Sequence, residues 1–208
     1  MHRRFGRKRV LRGIDLSVEP GTSLVLTGAN GAGKTTLLRI VATLLRPSSG
    51  EGSVGGLSLA GDGDRIRART AYVSARGFVY DDLTAAENLR FAGRLAGHPV
   101  ASDTVDTLLA TVGLPRAADQ TVRTFSTGMR RRLALVTLLL RPIHLALLDE
   151  PYAGLDTEGI ALVDRMVEHL LAAGTTVILA SHQAGEATRR AGRALRLEDG
   201  RLVEERTG

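Results

Sequence analysis

The stretch TSLVLTGANGAGKTTLLRIVATLL, Thr22 to Leu45, decides the fold. Its first six residues, Thr22 to Thr27, are apolar and β-prone and predict a short buried strand. From Lys34 to Leu45 apolar residues recur at helical spacing, and Arg46-Pro47-Ser48-Ser49-Gly50 stops that helix. Between strand and helix, Gly28-Ala29-Asn30-Gly31-Ala32-Gly33-Lys34-Thr35 matches G-x-x-x-x-G-K-[ST] in the setting its chemistry requires. Glycines there let the backbone turn its N–H groups inward around a phosphate, and the helix that follows adds the positive end of its dipole. Lys34 is placed to reach β- and γ-phosphates, and the Thr35 hydroxyl to ligate Mg²⁺. A chance glycine turn is a poor alternative, because Lys8 and Lys34 are the only lysines in the chain.

On the N-terminal side, Val10 to Val18 alternates imperfectly and reads as a strand, and Pro20-Gly21 as a turn. On the other side, Gly50 to Gly63 is rich in glycine with short alternating pieces, which predicts hairpin strands; Thr70 to Ser74 is a further strand. From Leu83 to Leu140 the character is helical. Thr84 to Gly97 opens with a capping box, Thr84 to Glu87; Ser102 to Val112 and Arg130 to Leu140 are the next two helices. His144 to Leu148 then reads as a buried strand, Glu158 to Ala173 as a helix, Thr175 to Ala180 as a strand and Ala184 to Ala191 as a helix. Arg193 to Leu197 and Arg201 to Glu205 form a hairpin about Asp199-Gly200. Strands alternate with helices on both sides of the helical stretch. The expected class is therefore α/β, with a mainly parallel sheet, an antiparallel β subdomain and a helical insert.

The strand Leu145 to Leu148 ends in Asp149-Glu150. Asp149 at the strand end is the candidate partner of Thr35 at Mg²⁺. Glu150 beside it is the candidate general base that orients or deprotonates an attacking water.

Composition sets outer bounds. At 208 residues the chain is long enough for one sizeable domain. Apolar residues make up 43% but aromatics only 3%, so the core must rest on Leu, Val, Ile and Ala. Cysteine is absent, which excludes disulfides and thiolate-held metals and suits a reducing cytoplasm. The charge of +6 is compatible with nucleic acid, an anionic membrane face or a nucleotide and does not choose among them. The basic run Arg3 to Arg9 is followed by no apolar segment of signal-peptide type. The longest apolar runs, Leu133 to Leu140 (with Thr137 within it) and Leu145 to Leu148, fall far short of the roughly 20 residues of a membrane span.

Further motifs, in order, carry a resemblance to a family. Phe125-Ser126-Thr127-Gly128-Met129-Arg130-Arg131-Arg132-Leu133 resembles the ABC signature sequence, usually written LSGGQ, and lies upstream of Asp149-Glu150-Pro151. Leu155-Asp156 resembles the D-loop, Ser181-His182 the H-loop, and Phe5-Gly6 ahead of Val10-Leu11 the A-loop. Over almost its whole length the chain thus resembles the ABC ATPases. The resemblance implies one ATP-binding domain over 1–208: a P-loop core with its β subdomain over 1–82 and 141–208, and a helical subdomain with the signature over 83–140. It implies two such subunits, most simply a homodimer, paired head to tail around two ATPs. Phe5, Val10, Gly28, Ala29, Asn30, Gly31, Ala32, Gly33, Lys34, Thr35 and Thr36 of one subunit would bind ATP; Ser126, Thr127 and Gly128 of the other would complete the site. Thr35 and Asp149 would hold Mg²⁺, while Glu150 and His182 would be catalytic.

The sequence also departs from the family pattern. Counting back from Leu83-Thr84, the position of the family's Q-loop glutamine is Ala75, which has no oxygen to offer Mg²⁺ or water. Thr127 and Met129 replace the first Gly and final Gln of the signature. The family usually has a strand before the A-loop aromatic, and four residues precede Phe5 here, so the completeness of the N-terminus stays open.

The function implied is that of the ATP-hydrolysing subunit of an ABC transporter, at the cytoplasmic face of the membrane and peripheral through a separate integral-membrane subunit. Tyr80-Asp-Asp-Leu-Thr84 with Glu87-Asn88-Leu89 and FSTGMRRRLAL is similar to the haem-exporter subunits of cytochrome c maturation; ABC-2-type drug exporters are the alternative. A soluble ABC ATPase acting on ribosomes or nucleic acid is the reading from a different class. Those relatives carry paired ATPase units or long coiled-coil arms, so no direct nucleic-acid contact is expected.

Overall fold

A computed structural model describes residues 1–74, 79–182 and 192–204. The strands are β1 His2–Phe5, β2 Lys8–Arg12, β3 Ser23–Thr27, β4 Ser53–Val54, β5 Leu57–Ser58, β6 Thr70–Val73, β7 Leu145–Asp149, β8 Thr176–Ala180, β9 Arg193–Glu198 and β10 Arg201–Glu204. The helices are α1 Lys34–Val41, α2 Gly63–Arg67, α3 Ala85–Leu95, α4 Ser102–Thr111, α5 Thr127–Val136 and α6 Thr157–Ala172, with 3₁₀ turns at Val122–Thr124 and Thr137–Leu139. The chain divides into two compact units, one of residues 1–72, 144–150 and 167–208, the other of 73–143 and 151–166.

The first unit is built on a six-stranded sheet in the order β10-β9-β3-β8-β7-β6. β3 lies parallel between β8 and β9, with Leu24 opposite Ile178 on one side and Arg193 on the other, and β7 runs parallel to β8. Every residue of β3 and β7 is buried, as expected of parallel strands covered on both faces. Leu24 and Leu26 of β3, Leu145 and Leu147 of β7, Ile178 of β8 and Leu195 of β9 pack with Leu37, Leu38 and Ile40 of α1 in one core. β9 and β10 form the hairpin read about Asp199-Gly200, where φ of 47° and 77° supplies the two positive values that a two-residue type I′ loop needs. The sheet is mainly parallel, with antiparallel strands added, and the class is α/β.

In the second unit, Thr84 and Glu87 form the expected capping box on α3: Thr84 Oγ1 accepts from the Glu87 N–H and the Glu87 carboxylate accepts from the Thr84 N–H. Asn88, buried, ties the preceding loop to this helix by donating to the Tyr80 and Thr84 carbonyls at 3.0 and 2.9 Å and accepting from the Tyr80 N–H at 2.7 Å. Leu89, Val105, Leu109, Leu133 and Val136 are buried here.

Several boundaries differ from the sequence reading. The first strand expected, Val10 to Val18, is instead Lys8–Arg12, closed off by Gly13 at φ 74°, and it pairs with His2–Phe5 in an antiparallel hairpin. α1 ends at Val41 rather than Leu45, because Thr43 turns to φ 58°. Gly50 to Gly63 does hold a hairpin, β4 with β5, but the helix α2 that follows was not anticipated. The signature helix begins at Thr127, not Arg130, since Ser126 caps it. Ala75, the helix expected over Ala184 to Ala191, and Glu205 lie outside the described residues.

Candidate functional site

The glycine loop runs from the buried end of β3 to α1, and its glycines answer to geometry. Gly28 has φ 141°, and a Cβ there would stand 2.4 Å from the Leu197 carbonyl oxygen of β9. Gly31 at φ 78° faces open space, and Gly33 at φ 113° is the N-cap of α1. Side-chain-free backbone in left-handed or wider conformations is what turns consecutive N–H groups toward one point. Gly28, Ala29, Asn30, Gly31 and Ala32 line a cleft of about 490 Å³ together with Val10, Lys8, Arg9, Arg12 and the β9–β10 hairpin. That volume is of ligand size.

Lys34, the first residue of α1, is 5% exposed. Its ammonium donates to the carbonyls of Gly28 at 2.7 Å and Ala29 at 3.3 Å and lies 3.4 Å from Glu150 Oε1. A buried ammonium is held in place by such partners, and phosphate oxygens offer the same chemistry. The Thr35 hydroxyl donates to Asp149 Oδ1 at 3.0 Å, so strand β7 and helix α1 meet as the sequence reading requires. Thr36 follows, half-buried. Glu150 turns sharply out of β7 at φ 53°, fixed by its N–H donating to the Ala180 carbonyl at 2.8 Å. Its Oε2 accepts from the His182 N–H at 3.2 Å and meets His182 Nδ1 at 2.7 Å. Lys34, Thr35, Asp149, Glu150 and His182 are therefore one contiguous cluster.

Thr35 Oγ1 and Asp149 Oδ1 are hard oxygen donors side by side. Among the described residues no group of three or more His, Asp or Glu is placed to cage a metal. A sparse oxygen pair of this kind suits Mg²⁺, which keeps several waters and takes phosphate oxygens as ligands. The residues present fit that ion.

The other candidates are placed as follows. Ser126 is the N-cap of α5, its Oγ accepting from the Met129 N–H at 3.2 Å, with Thr127 exposed and Gly128 in the first helical turn. That turn carries no acidic residue, so its positive end is open to an anion. Val10 lines the glycine-loop cleft, but Phe5 is not among its lining residues. Phe5 ends β1, 47% exposed, with the Arg3 guanidinium 4.5 Å above its ring. Asp156 accepts from the Gly159 N–H at 2.8 Å, which, ahead of the nearby Arg132 charge, holds its carboxyl below the usual range.

One contact was missed in the sequence. The Tyr72 hydroxyl of β6 donates to Asp149 Oδ2 at 3.1 Å. Burial pushes that hydroxyl above the ordinary tyrosine value, against the opposing effect of the Arg39 guanidinium. In TAYV a tyrosine reads as an ordinary strand former; its place two residues before the end of the predicted strand was the available signal.

Residues 11–153 match the ABC transporter family. The cytochrome c biogenesis ATP-binding export protein CcmA 2 of Cupriavidus metallidurans is 41% identical over 181 residues, covering 86% of this chain and 85% of that protein. The daunorubicin resistance ATP-binding protein DrrA3 of Streptomyces coeruleorubidus is 38% identical over 207 residues, 99% of this chain but 66% of that longer relative. Among solved structures, an ATP-binding subunit of an ABC transporter shares 28% identity at a TM-score of 0.87, over 99% of this chain and 87% of that one. A dimeric ATP-binding cassette with ADP and Pi, in a post-hydrolysis state, has a TM-score of 0.88 at 23% identity, over 100% of this chain and 95% of that one, a likeness of fold alone.

Proposed function

The chain belongs to the ABC transporter family as an ATP-binding subunit, and on that premise we propose that it hydrolyses ATP to drive an exporter. The observation that carries this is the cluster at the glycine loop: buried Lys34, the Thr35–Asp149 hydrogen bond and Glu150 within reach of both Lys34 and His182. In this reading the backbone of Gly28 to Gly33 and the ammonium of Lys34 bind the phosphate chain, and Thr36 closes the loop at the start of α1. Thr35 and Asp149 hold Mg²⁺, which when bound neutralises phosphate charge. Glu150 takes a proton from the water that attacks the γ-phosphorus as the bond to the ADP oxygen breaks, and His182 orients Glu150. Val10 and Phe5 would contact the adenine, with the Phe5 ring free for it once Arg3 moves aside. Ser126, Thr127 and Gly128 at the α5 N-terminus would serve the ATP of a second copy, in a homodimer.

Both kinds of relative carry export or drug resistance in their names, which supports an exporter over an importer. Haem export in cytochrome c maturation is the first reading of the cargo and drug efflux the second. No helix among the described residues is long and apolar enough to cross a membrane; attachment to the cytoplasmic face through a separate membrane subunit is part of the exporter reading. Exposed Tyr80 and Phe91, edge to face at 5.0 Å, with exposed Leu95, offer that partner an apolar contact.

The test is Glu150→Gln, which keeps the shape of the side chain and removes the base. With ATP and Mg²⁺ the variant should run as a dimer by size exclusion with light scattering while turnover is lost. A variant that stays monomeric under those conditions would refute either the paired site or the role of Glu150.

A further inference from the structure

We propose that Tyr72 is a positioning residue of the metal site, its hydroxyl fixing the orientation of the Asp149 carboxylate. The inference rests on the reading of Asp149 as a Mg²⁺ ligand. Asp149 is 4% exposed, so each oxygen of its carboxylate must find a donor inside the protein. Oδ1 accepts from Thr35 at 3.0 Å and Oδ2 from Tyr72 at 3.1 Å.

The direction of the second bond is set by chemistry. An ionised carboxylate has acceptors only. The phenol proton therefore points at Asp149. The bond from β6 thus falls on the oxygen that Thr35 does not use. It prevents the carboxylate from rotating about its Cβ–Cγ bond, so Oδ1 stays beside Thr35, where the ion would sit. Ala75 offers no oxygen at the position where the family carries glutamine, and the Tyr72 hydroxyl is what β6 brings to the carboxylate.

Partners that orient a metal ligand from behind typically govern metal affinity by a factor of about 10 to 100. The test uses Mn²⁺ in place of Mg²⁺, with free Mn²⁺ read by its EPR signal as it is titrated into the full chain with ATP. Binding of ATP without metal is measured in parallel by equilibrium dialysis. Tyr72→Phe keeps the ring and should weaken Mn²⁺ binding about tenfold, with metal-free ATP affinity within about twofold of wild type. Tyr72→Leu removes the same hydroxyl and should weaken Mn²⁺ binding about as much; it carries the test if Tyr72→Phe does not fold. Asp149→Asn separates the two levels of the argument. If Asp149→Asn leaves Mn²⁺ affinity unchanged, the assignment of Asp149 is wrong. If Asp149→Asn weakens it while Tyr72→Phe and Tyr72→Leu do not, the assignment stands and the role of Tyr72 is refuted. Equal losses of Mn²⁺ and metal-free ATP affinity in Tyr72→Phe would mean a packing role and would also overturn the proposal.

Discussion

Replacing the loop glycines one at a time by alanine should destabilise the protein in a fixed order, Gly28 most, Gly33 next and Gly31 least. At Gly28 an added Cβ lies 2.4 Å from the Leu197 carbonyl oxygen, where an ordinary carbon–oxygen contact is about 3.3 Å. Relief needs a shift of nearly 1 Å, and the atom in the way is backbone of β9, paired to β3 through Leu26–Leu195 and its neighbours. The cost combines strain at φ 141°, about 1–3 kcal/mol, with overpacking of about 1–3 kcal/mol. At Gly33 the atoms met at 3.0 Å are the ends of Leu11 and Val10, which can rotate away, leaving mostly backbone strain at φ 113°. At Gly31 nothing lies within 4 Å and φ is 78°, so only the left-handed penalty of about 1–2 kcal/mol remains. Urea unfolding followed by far-UV circular dichroism reads these as midpoint shifts. With a slope of about 2 kcal/mol/M, Gly28→Ala should lose roughly 1–3 M and Gly31→Ala under about 1 M. A Gly31→Ala midpoint as low as that of Gly28→Ala would refute the argument, because it would mean that the close approach of β9 contributes nothing.

Ala75→Gln should change the ATPase rate by more than it changes ATP affinity; equal turnover for the two proteins would rule out a deficit at that position. Thr84→Ala removes the side-chain cap of α3 and should cost about 1 kcal/mol in chemical unfolding, with no effect on ATP affinity. The Thr84 N–H holds the Glu87 carboxyl below its ordinary value. Its stabilising effect is therefore complete above the unfolded pKa of about 4.3 and is lost as the pH falls through the lower folded value; Glu87→Gln should abolish that part of the acid dependence.

The glycine loop was legible because its residue types have few other uses at that spacing, and Asp149-Glu150 because an apolar run ends there. The β1–β2 hairpin was not. In HRRF nothing alternates between apolar and polar, and beyond its hairpin partner the strand is held by the Arg4 N–H on Ser48 Oγ and by the His2–Ser49 bridge, both long-range. The early stop of α1 was hidden for a similar reason. Ala42 to Leu45 keeps helical spacing, but Thr43 leaves the helix to accept from Arg67 at 2.8 Å, a contact no local pattern announces. Tyr72 looked like a strand former, and only the fold brings it to Asp149.

Under the proposed function, one ammonium links phosphate binding to the placement of Glu150. A left-handed backbone at a non-glycine residue costs about 1–2 kcal/mol, and here it aims the carboxylate back at α1 rather than onward along β7. That carboxylate and two loop carbonyls together satisfy Lys34. Phosphate oxygens that bind Lys34 must displace some of these partners, since an ammonium has three donors. Under the proposed function Glu150 is the partner whose release matters. Once phosphate takes the ammonium, the His182 N–H and ring still hold Oε2, which leaves Oε1 open to a water. Substitution of Lys34 therefore removes both a phosphate contact and the partner of Glu150 Oε1, which is why its effect on turnover and on affinity cannot be equated.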